Sequence, residues 1–318
     1  MDITQIRDLT ARGAGRKMLG DTLPIPEGRH FLWIIDGMAV WQADSGAKQV
    51  LESGLTVHDV TGPGMATFEE SSNYVWFEGG DPLGFDPRAA VYHKLLAAHN
   101  QGVGEALVES LPAKSGDIWV DIGTGTGAMV AALGKACQPY APVWIFGVDR
   151  AGRMMDEAWK STADDGIPAW FVERDLAKLR WPRGMVDGVT ALLLFHLVDD
   201  LEGILRQVFQ ALKPGGQLLY AVSADQNPFV KMIMRQLQGP GDFFKRGQQQ
   251  IQQDVLRAGF LIERERTYED SIAVENPEAM LDLISAIGGP ATRGLRRDIV
   301  PPATIPRAFQ LVWAKKPC

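Results

Sequence analysis

Val120-Asp121-Ile122-Gly123-Thr124-Gly125-Thr126-Gly127 decides how this chain folds. Ile118 to Ile122 is a short apolar run of the kind that makes a buried strand, and Ala128 to Ala136 is a stretch of small and apolar residues that reads as a helix. The glycines therefore form a strand-to-helix turn. Glycine lets backbone amides come close to a ligand, and the helix that follows points its partial positive end at the same place. Asp121, an acid two residues before the first glycine, suits a turn that receives a nucleoside.

Taken alone the turn is ambiguous, because Gly123-x-Gly125-x-x-Ala128 also satisfies the relaxed fingerprint of dinucleotide-binding enzymes. The residues that follow add weight on one side. Val143 to Asp149 is a second buried strand ending in an acid, where a ribose diol would accept a carboxylate. Ala169 to Val172 is a third, followed by Glu173-Arg174-Asp175-Leu176, whose acid suits an adenine amino group. Val186 to Leu194 runs into Phe195-His196-Leu197-Val198-Asp199-Asp200, and Leu201 to Leu212 reads as an amphipathic helix. Lys213-Pro214-Gly215-Gly216 closes that helix before a fifth strand, Gln217 to Val222.

This ordered set resembles the class I S-adenosylmethionine-dependent methyltransferases of the small-molecule type, over roughly residues 115 to 224 and more weakly to 268. The family's glycine loop matches Asp121 to Gly127, its ribose acid Asp149 and its adenine acid Asp175. Its strand-four acid matches Asp187, and its Leu-Lys-Pro-Gly-Gly turn Leu212 to Gly216. The loop Gln138 to Pro142 is longer than the family pattern. The resemblance implies a doubly wound, Rossmann-like α/β fold with a seven-stranded sheet and S-adenosyl-L-methionine as cofactor. It implies cofactor contacts from Asp121, Gly123, Thr124, Gly125 and Gly127 in the loop. Asp149 and Arg150 follow at the second strand, Asp175 and Leu176 at the third, and Leu194 and Phe195 at the fourth.

Composition narrows the partners. A net charge of -7 over 318 residues gives no support for a phosphate-backbone partner, which would favour a basic face, so no nucleic-acid partner is expected. The start, Met1-Asp2, lacks a basic region leading into an apolar one, and no apolar run is long enough to span a bilayer, so a cytoplasmic protein is expected. Cys137 and Cys318 make neither a disulfide framework nor a metal site. A small-molecule substrate is the expected partner, and a homodimer is compatible with the chain.

The additions lie at both ends of the core. Residues 1–85 are expected to form a β-rich accessory unit, with a small antiparallel β unit over roughly 22 to 80. Trp33, Trp41 and Trp76 crowd into it and read as its core. Residues 86–318 make the methyltransferase domain. Pro87 to His99 reads as a helix capped by Asp86, and Gly104 to Leu111 as another. Helical lid insertions are expected at 225–258 and 269–307, with strands at Phe260 to Arg266 and Ala308 to Ala314. Arg293, Arg296 and Arg297 read as a solvated face, with an acidic substrate as the alternative.

An activated methyl group needs a positioned acceptor and a dry site, and an acceptor bearing a proton needs one general base. His196 sits past the fourth strand at its carboxyl end and is the candidate base, with lining of the cofactor's methionine end as the alternative. Tyr92 is the second catalytic candidate and, with His93, a candidate lid contact; packing on a helix is the competing reading for both. Asp199 and Asp200 read as helix caps, and Glu69, Glu70 and Glu78 as ordinary strand-end carboxylates. A carrier-bound or protein substrate docked by the β unit, a non-catalytic cofactor-binding module and an NAD dehydrogenase remain open at this point.

Overall fold

The computed structural model describes residues 29–30, 42–43, 74–76 and 83–318, apart from 141–142, 168, 174, 179–182, 237–244 and 289–302. Ten strands and seven α-helices are described. Strands β1 (Arg29–His30) and β2 (Gln42–Ala43) pair with each other antiparallel. The remaining strands are β3 (Tyr74–Trp76), β4 (Ile118–Ile122), β5 (Trp144–Asp149), β6 (Ala169–Glu173), β7 (Val186–Leu192), β8 (Leu212–Ser223), β9 (Leu261–Val274) and β10 (Ala303–Lys315). They form one sheet in the order β3-β6-β5-β4-β7-β8-β10-β9. Its first six strands in that order run parallel, while β10 is antiparallel to both β8 and β9.

Both faces of the sheet are covered, as buried parallel strands require. All five residues of β4 are buried, which is why its sequence is a continuous apolar run around Asp121 rather than an alternating one. One face packs on α1 (Ala89–Val108), α2 (Ala128–Cys137) and α3 (Gly152–Asp164) through Val103, Leu107, Val130, Leu133, Met155 and Ala158. The other packs on α4 (Leu201–Ala211) and α6 (Gln248–Arg257) through Leu201, Leu205, Val208, Ile251 and Val255. A smaller core joins α1, α5 (Pro228–Gln236), α7 (Pro277–Gly288) and the outer ends of β9 and β10, with Leu96, Phe229, Ile233, Ile272, Leu283 and Ile305 inside it.

The chain leaves β4 for β5 on one side and returns to β7 on the other. That reversal opens a crevice at the carboxyl ends of β4, β5 and β7, where open α/β sheets bind ligands.

Several expectations are corrected here. The sheet has eight strands among the described residues, because Tyr74–Trp76, assigned above to the accessory β unit, pairs in parallel with β6. Beyond it and the β1–β2 pair, the expected antiparallel unit lies outside the described residues, as do Trp33, Trp41 and the three arginines near 295. The two helices expected over 87–111 are one, α1. Gly102 and Gly104 do not break it, since Gly104 is where α1 meets α2: a Cβ there would stand 3.1 Å from Ala132 Cβ. Asp86 does not cap its own helix; its Oδ1 accepts the Arg153 N–H (2.7 Å) in the first turn of α3.

The turn expected at Leu212–Gly216 is absorbed into β8 as a bulge. Val186 faces Leu212, and two residues later Gly188 faces Gln217. Asp187 ties this end of the sheet together, accepting the Ile118 N–H (2.9 Å) and the Lys213 Nζ (2.6 Å). The last two strands are about twice the expected length and form a hairpin from Lys315↔Leu261 to Ala303↔Val274, so the second insertion shrinks to 275–302. Helix α6, placed above in a lid, packs instead on α4 within the main core. No helix among the described residues is long and apolar enough to cross a membrane.

Candidate active site

The glycine turn is stitched to the end of β5. The N–H groups of Gly123 and Thr124 donate to the Val148 carbonyl (2.8 and 3.1 Å), and that of Gly127 donates to the Thr124 carbonyl (2.9 Å). The Gly125 N–H donates to Asp149 Oδ2 (2.8 Å), while Asp149 Oδ1 accepts the Ala151 N–H (3.0 Å). Burial pushes the Asp149 carboxyl up from its ordinary range, and the amides of Ala151, Gly125 and Arg150 pull it back toward ionisation. The amides of Gly123, Thr124, Gly125 and Gly127 are thus spent inside the protein rather than on a ligand. A dinucleotide pyrophosphate needs those donors, whereas a nucleoside without phosphates does not.

Asp121 lies beneath this turn, fully buried. Its carboxylate accepts the hydroxyls of Thr124 and Thr190, the latter at 2.8 Å. Burial dominates and raises it to about 7. Asp121 and Thr124 therefore hold the loop from below and do not line the crevice. Gly127 is likewise a packing residue: with φ at +86° it starts α2, and a Cβ there would meet Ala158 Cα at 3.0 Å. Phe195 is buried in the sheet core against Tyr220. These four fall outside the lining expected of them.

The crevice itself encloses a cavity of about 260 Å³. Of the residues expected there, Gly123, Gly125, Asp149, Arg150, Asp175, Leu176 and Leu194 line it. Gly125 has φ +52°, and a Cβ there would meet nothing nearer than Met154 Cε at 3.6 Å, so the space above it belongs to the cavity. Asp149, Asp175, Asp199 and Asp200 contribute four carboxylates to the described lining, against one guanidinium. That guanidinium, Arg150, stands 3.7 Å from Asp175. Asp200 caps α4 by accepting the Gly203 N–H (2.8 Å), and Asp199 pairs with Lys245. An acidic wall with its one arginine paired suits a cationic nucleoside and repels a diphosphate.

A second, smaller and mostly apolar chamber of about 80 Å³ adjoins the first. Phe85, Tyr92, Leu193 and Leu197 belong to the walls of both. Leu96, Phe229, Ile233, Ile287 and Phe309 make its apolar side. Helices α5 and α7 contribute Phe229, Ile233 and Ile287 to this wall. His196 lines it but is only 6% exposed. Burial drives its imidazole down to about 3, which favours the neutral form. That burial works against the general-base role expected of it from the sequence. His93, the other lid candidate, is in neither described lining.

Residues 120–220 match the family model described as a methyltransferase domain. Over 154 residues the chain is 31% identical to the ubiquinone/menaquinone biosynthesis C-methyltransferase UbiE of Desulfotalea psychrophila, covering 47% of this chain and 59% of that one. It is 26% identical over 157 residues to the 27-O-demethylrifamycin SV methyltransferase of Amycolatopsis mediterranei, covering 49% and 56%. Residues 120–220 therefore carry a methyltransferase domain. The chain spans little more than half the length of these curated relatives. In fold it is similar to the YcgJ protein of Bacillus subtilis, at 17% identity and a TM-score of 0.51 over 70% of this chain and 99% of that one. S-adenosyl-L-methionine fits what the crevice provides: an acidic wall and a side-chain-free floor at Gly125.

Sequence reasoning missed three residues of this methyltransferase site. Leu193 is the one non-glycine residue with positive φ (57°) among those described, a strained backbone position at the meeting of the chambers, and nothing in the local sequence marks it. Asn100 stands two helical turns after Tyr92, a spacing that puts both on one face of α1 and could have flagged the pair. Arg307 is far from both in sequence, is 2% exposed, and belonged above to an insertion rather than a strand.

Proposed function

We propose that the chain transfers the methyl group of S-adenosylmethionine to an oxygen, nitrogen or carbon atom of a small, largely apolar metabolite. The observation that carries this reading is the pair of adjoining chambers, one acidic and nucleoside-sized, the other apolar, with Phe85, Tyr92, Leu193 and Leu197 shared between them. Asp149 would hold the ribose hydroxyls, Asp175 and Leu176 the adenine, and Gly123 and Gly125 the chain between ribose and sulfur. Relatives named for a quinone pathway and for a rifamycin support a small-molecule acceptor.

When bound, the sulfonium supplies an activated methyl: the acceptor's electron pair forms the new bond to carbon, and the carbon–sulfur pair stays on sulfur. The protein's contribution is then placement. Holding the acceptor in line supplies up to about 7–11 kcal/mol by analogy with oriented intramolecular reactions. The apolar side chains of the second chamber exclude water that would compete for the site.

Isothermal titration with S-adenosylmethionine, S-adenosylhomocysteine and NAD tests the reading. Binding of the first two and not the third is expected; binding of NAD alone would overturn it.

A further inference from the structure

A chain of four side chains runs along the second chamber, whose lining includes Tyr92, Asn100 and Arg307. Arg307 on β10 donates from Nε to Asp270 Oδ1 (2.7 Å) on β9, and from Nη1 to Asn100 Oδ1 (2.9 Å) on α1. Asn100 Nδ2 in turn stands 3.1 Å from the Tyr92 hydroxyl. The polarity of this chain is fixed by chemistry. A guanidinium has only donors, so Asn100 must turn its oxygen to Arg307 and its amide nitrogen to Tyr92. An amide NH₂ only donates, so the Tyr92 oxygen must accept. Its own proton is left to point elsewhere, and among the described residues no acceptor takes it.

Tyr92 belongs to the wall of both chambers. The second chamber has no carboxylate in its described lining, and its histidine is held neutral by burial. A phenol or enol entering it meets no carboxylate in that described lining, but it does meet a hydroxyl whose proton is available. The charged groups acting on Tyr92 are Arg307 and Arg88 on one side and Asp149 on the other. Asp270 is bound up with Arg307.

We propose that Tyr92 is an aimed hydrogen-bond donor for the oxygen of an aromatic or enolic acceptor bound as its oxyanion, and that Asn100 and Arg307 are positioning residues that set the direction of its proton. This deepens the methyltransferase reading above and rests on it. An O–H to O⁻ bond in a water-poor chamber is of the strong, charge-assisted kind. The substrate class that follows is a hydroxylated ring acidic enough to arrive ionised, its apolar body against Leu96, Phe229, Ile233 and Phe309.

The test uses the full chain loaded with S-adenosylhomocysteine, with 4-nitrophenol as probe, because its phenolate and phenol have different absorption spectra. The wild type is expected to bind the phenolate in preference to the phenol. Y92F should reduce that preference about tenfold to a hundredfold, the range of one hydrogen bond to a charged group. N100D is the decisive variant. It keeps Tyr92 but replaces a donor with an acceptor, which draws the tyrosine proton away from the chamber, so it should lose the preference as Y92F does. Affinity for 4-nitroanisole, which has no ionisable oxygen, should stay unchanged in both, and unchanged melting of N100D shows that the fold is kept. A wild type with no preference for phenolate, or an N100D protein that keeps it, overturns the proposal. If S-adenosylhomocysteine itself fails to bind, the methyltransferase reading falls and this one with it; if it binds and the preference is absent, only this inference falls.

Discussion

Asp149 Oδ2 accepts the backbone N–H of Gly125 at 2.8 Å, which makes the tip of β5 and the turn after β4 a single unit. The same carboxylate accepts the Ala151 N–H through its other oxygen. One residue therefore shapes the loop and faces the crevice. Asp149→Ala should weaken S-adenosylhomocysteine binding about tenfold to a hundredfold, at roughly 1.5–3 kcal/mol for a hydrogen bond to a charged group. Calorimetry checks it, and unchanged affinity would remove the ribose role.

Two glycines of the same turn should answer differently to a side chain. At Gly125 a Cβ has room within the protein and fills only ligand space, so Gly125→Val should abolish cofactor binding and leave a folded chain, with a backbone cost of about 1–2 kcal/mol for a left-handed position. At Gly127 a Cβ would press on Ala158 Cα and Cβ at 3.0 Å, within the packing of α2 on α3. Gly127→Val should therefore lower the melting temperature far more than Gly125→Val. Thermal melts of both proteins beside cofactor titration decide the matter, and equal melting temperatures would contradict the contrast.

The strand-turn-helix at Asp121–Gly127 and the acids at the ends of β5 and β6 were legible because each is a local pattern: a buried run, then a residue that cannot be buried unaccompanied. What the pattern could not give was direction. Asp121 and Asp149 are both acids at strand ends, yet Asp121 turns under the loop to two threonine hydroxyls while Asp149 turns toward the crevice. The choice depends on Thr190, a residue 69 positions away. Helix α1 was read as two because glycine costs helix propensity, a local penalty that the close packing of Gly104 on Ala132 outweighs. The chain through Asn100 and Arg307 spans 207 positions and had no signal at that range.

Asp121 makes a pH prediction. Its carboxyl is held at about 7 in the fold, against 3.8 for an ordinary aspartate, chiefly by burial. The folded state therefore keeps a proton that the unfolded chain has already lost. The stability this group contributes is full below 3.8, falls as pH rises, and is gone above about 7. Asp121→Asn cannot ionise in either state, so its stability relative to the parent should rise across that window, at up to about 1.4 kcal/mol per pH unit. Urea midpoints at several pH values test this; parallel profiles for the two proteins would refute it.

His196 should remain neutral through the pH range in which ordinary histidines titrate, because burial has driven it down to about 3. Its imidazole C–H resonance, identified by its loss in His196→Gln, should not move between roughly pH 8 and pH 5. A midpoint near the ordinary value would restore it as a candidate base and weaken the case for an acceptor that arrives ionised.

Arg307 offers the sharpest stability test. Its guanidinium is 2% exposed and is held by Asp270 and Asn100 between α1 and the β9–β10 hairpin. Arg307→Met leaves the Asp270 carboxylate largely buried without its partner, which costs about 3–5 kcal/mol when one member of a buried pair is removed. Arg307→Met combined with Asp270→Leu removes both charges and should recover most of that loss, since the desolvation of each ion disappears along with their attraction. Urea denaturation of the two proteins distinguishes the outcomes. A double variant as unstable as the single one would mean that the pair acts through geometry at the helix-hairpin contact rather than through its charges.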